Sequence, residues 1–462
     1  PYLDPPHVLW RVPCSLGSRS RHDLVGVLCQ TPHSVARFVA LYIRAVSLPI
    51  YDFDFAKVQK KMYMRKKCEY FLLSRLYTLH PTPRLAYYLY HPYQTIHLKS
   101  ITTMKKILLL ALTLALASLA SEAKACTGIT LHTTANQPIT ARTIEWAARP
   151  LNLMYVIVPR EHQHKSFLPD NTTKGMRYSS KFGYVGIAVE DKAYVMEGIN
   201  EAGLAAGLFY FPDYGKYMPF DPNQKDITIS DMQFVSWVLA SFSSIDELVE
   251  QLDGIRVVGV DPRASTVHWR VTEPSGRQIV IEIMNQHINI HENPLGVLTN
   301  SPSLDWHLSN LNNYINLKPG TISTHNLGEQ ALSSFSGGTG MLGLPGDMSS
   351  PSRFVRAAFL QTTAPIFSDS RQTVIHAFHL MNHFDIPIGL QFSDTTQIPD
   401  MHSATQVTIV TDIMNGRLYY RTMYDSRIRC IYLSDIDFDD VTCQYEPLDF
   451  IAQETIEYIE GY

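Results

Sequence analysis

The chain has 462 residues, 45% hydrophobic and 18% charged, a composition that supports a packed core and excludes wholesale disorder. Its net charge of −4 conceals two unlike stretches: residues 1–103 carry 14 Lys and Arg against 5 Asp and Glu, whereas residues 126–462 carry 22 against 37. The acidic stretch has no basic surplus to meet a phosphate backbone, which argues against a nucleic-acid partner.

Residues 1–103 begin with Pro1, show no sustained helical or strand period, and hold 10 of the 25 tyrosines and a basic cluster at Lys57–Lys67. At 104–125, Met104-Lys105-Lys106 precedes an apolar run of 14 residues, Ile107–Ala120, and then Ser121-Glu122-Ala123-Lys124-Ala125. A basic start, a short apolar run and an Ala-x-Ala end read as a secretory signal peptide. The run falls short of the roughly 20 residues of a spanning helix, so no stable membrane insertion is expected. A buried core helix would be the plainer reading of the run alone, but not of its flanks. A signal peptide belongs at a chain start, so translation is expected to begin at Met104, with 1–103 as upstream sequence read through in frame. A genuine N-terminal extension is the alternative. Cleavage after Ala125 would leave a secreted or periplasmic chain of 337 residues beginning at Cys126.

Within 126–462, apolar runs predict strands at 126–133, 139–145, 153–158, 184–189, 193–199 and 203–211. Asp231–Leu252 reads as helical in two pieces, the second starting at the capping box Ser244-Ile245-Asp246-Glu247. Strands return at 265–272, 278–284 and 296–299. Helical patterns follow near 303–315, 353–362 and 371–382. Val407–Thr411, Leu418–Met423 and Ile428–Leu433 close the chain as strands. Strands, then helices, then strands predict a layered α+β domain without internal repeats.

Six cysteines, Cys14, Cys29, Cys68, Cys126, Cys430 and Cys443, include no CxxC pair, which leaves a zinc ribbon or thioredoxin-type site unsupported. Cys430 and Cys443 are open to pairing or to two separate thiols. Cys126 would be the new N-terminus. Lipidation there would want a bulky aliphatic residue three positions back and a small one two back; Ala123 and Lys124 fit poorly. The other reading is chemical. A terminal cysteine joins a thiol to an α-amine whose pKa of about 7.7–8 lets it take a proton near neutrality. One residue then supplies nucleophile and base. A nearby cation would lower the thiol further.

Cys126-Thr127-Gly128-Ile129-Thr130-Leu131 is followed by Arg142-Thr143-Ile144-Glu145-Trp146 and by Asn200-Glu201-Ala202-Gly203-Leu204. Then come Leu298-Thr299-Asn300-Ser301-Pro302 with Asp305-Trp306-His307, Gly337-Gly338-Thr339-Gly340, Leu344-Pro345-Gly346-Asp347, and Ser352-Arg353-Phe354. This order resembles the choloylglycine hydrolase family, the N-terminal-nucleophile hydrolases that include conjugated bile salt hydrolases and penicillin V acylases. The resemblance covers essentially all of 126–462. It implies a four-layer αββα sandwich, no cofactor and no metal, and a homo-oligomer, commonly a tetramer. It also implies roles. Cys126 matches the nucleophile that forms a thioester. Arg142 matches an arginine beside the sulfur, Asn300 the side-chain donor of the oxyanion hole, and Arg353 a second arginine. Tyr210 falls where a backbone N–H is the second donor; bile salt hydrolases often carry Asn there and penicillin V acylases Tyr. Glu145 stands where the family usually has Asp, one methylene shorter. Taken singly each has a plainer reading: Arg142 a surface arginine, Asn300 a turn residue, Arg353 a helix-start pair.

Three weaker patterns are read as decoys. Gly338, Gly340 and Gly343 spell a dinucleotide fingerprint, but no strong strand leads in and Pro345-Gly346 follows where a helix should start. Asp435, Asp437, Asp439 and Glu446 mimic a calcium loop with Asp440 where Gly is needed. His162 and His164 read as part of a solvated loop. The aromatic cluster Phe209, Tyr210, Phe211, Tyr214, Tyr217 and Phe220 is open between core packing and an acyl-group site, with Phe209, Phe211 and Tyr214 as candidate substrate contacts.

The expectation is therefore an exported amidase that cuts a linear carbon–nitrogen amide bond in a small molecule. The substrate would be a glycine- or taurine-conjugated bile salt, or alternatively penicillin V or an N-acyl homoserine lactone. A lipid-anchored protein that binds apolar ligands is the alternative of another class.

Overall fold

The computed structural model describes residues 126–148, 150–169, 172, 174–260, 265–387 and 401–459. The expected signal peptide at 104–125 and the segment 1–103 lie outside them. The strands in chain order are β1 (Cys126–His132), β2 (Pro138–Ala148), β3 (Leu153–Val158), β4 (Gln163–Lys165), β5 (Arg177–Ser179), β6 (Tyr184–Val189), β7 (Asp191–Asn200), β8 (Ala205–Tyr210), β9 (Thr228–Ser230) and β10 (Arg256–Val258). They continue as β11 (Val267–Thr272), β12 (Gln278–Met284), β13 (His287–Glu292), β14 (His325–Leu327), β15 (Gln330–Leu332), β16 (Met401–Asp412), β17 (Arg417–Thr422), β18 (Arg429–Tyr432) and β19 (Gln444–Pro447). The α-helices are α1 (Phe234–Ser241), α2 (Ile245–Leu252), α3 (Leu304–Asn310), α4 (Ser350–Thr363) and α5 (Ser370–Met381).

Two antiparallel sheets form the centre, one ordered β1-β2-β16-β17-β18 and the other β13-β12-β11-β8-β7-β6-β3-β19. α4 packs on β1, and α5 on β2 and β16; α1 packs on β7 and β8. The layers run helix, sheet, sheet, helix, the αββα arrangement that the resemblance implies. A sheet covered on both sides buries both faces of its strands, so β6, β11 and β12 are buried along nearly their whole length. That is why these strands read as near-continuous apolar runs.

The helices follow local rules. Ser244 Oγ accepts the Glu247 N–H at 3.2 Å, and the Glu247 carboxylate reaches back to the Ser243 N–H at 2.9 Å, a capping box displaced by one residue. Ile245, Leu248 and Leu252 then make the single buried stripe of α2. The helix expected near 303–315 stops at Asn310 and tightens into a 3₁₀ turn over Leu311–Tyr314. The strand expected at 296–299 is reduced to one bridge, Leu298 to Gly128. Cys430 and Cys443 are separate thiols. Gly338 opens a 3₁₀ turn in the left-handed region, at φ 78°, so the glycine-rich segment is a loop. Asp439 pairs with Arg160 at 2.6 Å. No helix among the described residues is long and apolar enough to cross a membrane.

Gly198 is where α1 meets β7. A Cβ there would lie 2.6 Å from the Val185 carbonyl oxygen and 2.7 Å from Leu239 Cδ1. Gly198→Ala is expected to cost about 2–3 kcal/mol, read as a lowered urea midpoint with an unchanged slope.

Candidate active site

β1 is the edge strand of its sheet, and the chain that covers that edge builds the site. Gly128 and Leu298 exchange both main-chain hydrogen bonds, at 2.7 and 3.1 Å. The pairing is antiparallel, so the residue two before Gly128 faces the residue two after Leu298. Those residues are Cys126 and Asn300. The Cys126 main-chain nitrogen donates to Asn300 Oδ1 at 2.8 Å, and Arg353 Nη2 donates to the same oxygen at 2.7 Å. Two donors fix this atom as the amide oxygen. Asn300 Nδ2 then donates to the Tyr210 carbonyl at 2.8 Å, and it carries a second hydrogen. The Tyr210 N–H points back at the Cys126 sulfur.

The pleat distributes the charges. Gly128 sits opposite Arg142 and Cys126 opposite Ile144, so Arg142 shares the inner face of Cys126, toward the eight-stranded sheet. Thr127, Thr143 and Glu145 face α4 and α5. From that outer side Arg353 Nη1 donates to the Cys126 carbonyl and, at 2.7 Å, to Thr127 Oγ1. Glu145 accepts from Thr405 Oγ1 at 3.0 Å. One thiol is thus approached by a guanidinium from each face of a single sheet.

Arg142 is fully buried and held by the other sheet. Its Nη1 donates to the Met196 and Leu208 carbonyls and pairs with Glu197 at 3.4 Å. Arg270 pairs with the other Glu197 oxygen at 3.3 Å and donates to the Ile129 carbonyl at 3.2 Å. Both guanidiniums lie over the Phe209 ring, 4.0 and 5.4 Å from its centre. Two glycines make the room. A Cβ on Gly207 would fall 1.8 Å from Glu197 Oε2, and one on Gly128 would fall 2.8 Å from Arg270 Nη1.

The six residues Cys126, Arg142, Glu145, Tyr210, Asn300 and Arg353 therefore converge. The three aromatics expected at the substrate do not. Alternation along β8 turns Leu208 and Tyr210 into an apolar cavity at the thiol, together with Ile144, Leu151, Val189 and Met196. Phe209 goes to the opposite face, fully buried under the two arginines. Phe211 is fully buried and stacks on His268 at 4.4 Å. Tyr214 is 47% exposed and lies outside the cavity lining. For Phe209 the reason is strand alternation, which a run of aromatics hides; Phe211 and Tyr214 lie beyond the end of β8. Sequence reasoning assigned no part to Glu197, Arg270, Thr405 or His268. The signal for Arg270 was a full charge inside the wholly buried β11.

Burial dominates the electrostatics. It pushes the Cys126 thiol up, and Glu145 adds to that; Arg142, the Tyr210 N–H and Arg353 pull it down without winning. The cations temper the thiol rather than leaving it ionised. Burial likewise lifts Glu145 from 4.5 to about 7, against Arg353 and its hydroxyl partners.

A profile of the linear amide C–N hydrolases, choloylglycine hydrolase family, matches residues 126–445. The chain belongs to that family. This choloylglycine hydrolase family member is 30% identical over 320 residues to the bile salt hydrolase/transferase of Clostridium perfringens, a match spanning 68% of this chain and 94% of the relative. The solved conjugated bile acid hydrolase of Clostridium perfringens has 28% identity and a TM-score of 0.62, covering 72% of this chain and all of that one. Penicillin V acylase from Agrobacterium tumefaciens shares the fold at 22% identity and a TM-score of 0.56, over 70% of this chain and 91% of its own. The protein is an amidohydrolase acting on linear amides.

The raised Glu145 has a sign that can be measured on the chain with the Cys126 nitrogen still in its peptide bond. Between pH 4.5 and 7 the folded state keeps a proton that the unfolded state has lost, so this contribution is full below pH 4.5 and fades as pH rises through 7. Glu145→Gln is expected to remove a stability slope worth on the order of 3 kcal/mol over that window, read by denaturant midpoints at stepped pH.

Proposed function

We propose that this hydrolase is exported, cut after Ala125, and deconjugates glycine- or taurine-conjugated bile salts with Cys126 as nucleophile. The observation that carries the reading is the placement of Cys126, the first residue of the family match. Its main-chain nitrogen is on Asn300 and its sulfur faces the Tyr210 N–H. The names and identities of the bile salt hydrolases among its relatives support the substrate class.

The chemistry follows from a thiol held protonated by burial. Such a thiol needs a base, and cleavage supplies one by turning the Cys126 peptide nitrogen into an α-amine. The amine takes the thiol proton as the sulfur attacks the amide carbonyl. The tetrahedral oxyanion is held by the second Asn300 Nδ2–H and the Tyr210 N–H. The ammonium then protonates the leaving glycine or taurine nitrogen as the carbon–nitrogen bond breaks, leaving a thioester on Cys126. Water, deprotonated by the same amine, adds to the thioester and expels the thiolate, which recovers its proton. Arg142 and Arg353 stabilise the thiolate while it exists, and Glu145 faces the nucleophile from the outer side. Free thiol and α-amine at Cys126 also separate this reading from lipid anchoring, which would place a diacylglyceryl mass there.

A smaller acyl group is the second reading, because the cavity at the thiol measures about 30 Å³, room for about one water. A sterol body requires that lining to move; the phenoxyacetyl group of penicillin V requires less, and Tyr210 matches the residue that penicillin V acylases carry. Hydrolysis of glycocholate, taurocholate and penicillin V by the mature chain decides between them. Cys126→Ser is expected to fold and to lose roughly 1,000-fold or more of turnover. A mature chain retaining Ala125 is expected to be similarly impaired, and full activity in it would contradict the mechanism.

The protein also assembles with copies of itself through the segment around β14 and β15. Ile315 is 89% exposed, Leu327 72% and Leu342 68%, and Phe335 is fully exposed. These are apolar side chains that an isolated subunit leaves in water. Leu327→Glu with Phe335→Glu is expected to shift the sedimentation coefficient to that of the monomer. An unchanged coefficient would place the interface elsewhere.

A further inference from the structure

Asn300 is held by its main chain as tightly as by its side chain. The Asn300 N–H donates to Ser350 Oγ at 3.0 Å. The Asn300 carbonyl faces His307 Nε2 at 2.8 Å, and the Thr299 carbonyl faces His268 Nε2 at 3.1 Å. A carbonyl only accepts, so in both rings Nε2 carries the hydrogen. His268 is fixed in turn by Glu282, 3.2 Å from its Nδ1.

His307 also bridges two elements of the site. It lies on α3, and its ring stacks on Phe354 at 4.6 Å and 8°. Phe354 follows Arg353 on α4. One imidazole thus touches the peptide that carries Asn300 and the helix that carries the arginine on Asn300 Oδ1.

The histidine satisfies the Asn300 carbonyl and leaves one of its own nitrogens unpaired. His307 is fully buried, and its Nδ1 has no hydrogen-bond partner among the described residues. An unsatisfied buried group costs about 1–3 kcal/mol; leucine or phenylalanine would avoid that cost at Nδ1 but would leave the Asn300 carbonyl without its donor. Burial takes the ring down to about 4, so it stays neutral at neutral pH, with its one hydrogen on the Asn300 carbonyl.

We propose that His307 is a positioning residue for the reaction, setting the angle at which Asn300 presents its free amide hydrogen to the oxyanion. This rests on the reading of Asn300 as an oxyanion donor. Such a donor must stand within about 0.5 Å of its productive place. His268 holds the Thr299 carbonyl one peptide earlier.

The test uses the mature enzyme with glycocholate or penicillin V, whichever the wild type cleaves. His307→Gln keeps a donor near the Nε2 position. His307→Leu removes the donor and keeps apolar packing, and His307→Phe serves the same arm with a stacking ring should the leucine variant not fold. Three readouts are taken: kcat, KM and the rate of Cys126 alkylation by iodoacetamide, which needs the thiol but no oxyanion hole. Losing the donor is expected to lower kcat by roughly 10- to 100-fold while KM and alkylation stay within about 2-fold. His307→Gln is expected to keep kcat within about 3-fold of wild type. Wild-type kcat in the leucine or phenylalanine variant overturns the proposal. So does an equal fall in the glutamine variant, or alkylation that falls together with kcat. A wild type that alkylates at Cys126 yet cleaves neither amide instead overturns the reading of the site on which this inference rests.

Discussion

One two-residue bridge organises the molecule. Gly128 on the edge of the five-stranded sheet pairs with Leu298, which leads out of the eight-stranded sheet's last hairpin. Antiparallel register then leaves no choice about what stands opposite Cys126. Asn300 arrives there, and with it the oxygen that gathers both the Cys126 nitrogen and Arg353. Gly128 serves twice, since its missing side chain also admits Arg270 and the Phe209 edge. The site is a consequence of how the two sheets meet, which is why its six residues come from five separate stretches of chain.

The interior between the sheets carries an unusual load of charge. Arg142, Glu197 and Arg270 form a buried triad with one positive charge in excess. Burying a charge is costly unless it is paired and hydrogen-bonded, and here main-chain carbonyls and the Phe209 face supply the remaining partners. The excess lies on the side of the sheet from which Arg142 approaches the thiol. Burial still outweighs it and pushes the thiol up. A thiol that ionises only when a base takes its proton suits the proposed mechanism, in which that base arrives by chain cleavage.

Much of this was legible in the residues, for physical reasons. Strands of the two middle layers, such as β6, β11 and β12, are covered on both sides and announce themselves as apolar runs. The capping residue Ser244 marked the start of α2 because its side chain has one task there. β13 was missed because His287–Glu292 is an edge strand with mostly polar, half-exposed side chains. β14 and β15 were missed because three-residue strands with no buried face leave no period to read. At the site, the motif order supplied Cys126, Arg142, Glu145, Tyr210, Asn300 and Arg353, but periodicity alone would have left Asn300 in a turn. The role of Phe209 was misjudged because a neighbour in sequence on a strand is on the opposite face in space. His307 stood inside a motif that sequence reading quoted and assigned no work, since a buried side-chain donor to a carbonyl seven residues back leaves no periodic signature.

The central claim is that an acyl group passes through covalent attachment to Cys126. Its most direct test is acid quenching of the mature enzyme during turnover of its amide substrate, followed by digestion and mass analysis of the cysteine peptides. The account predicts the acyl mass on the peptide that begins with Cys126, removable by hydroxylamine as a thioester is. Turnover with no adduct on that peptide, or an adduct on the Cys430 or Cys443 peptide instead, would contradict it.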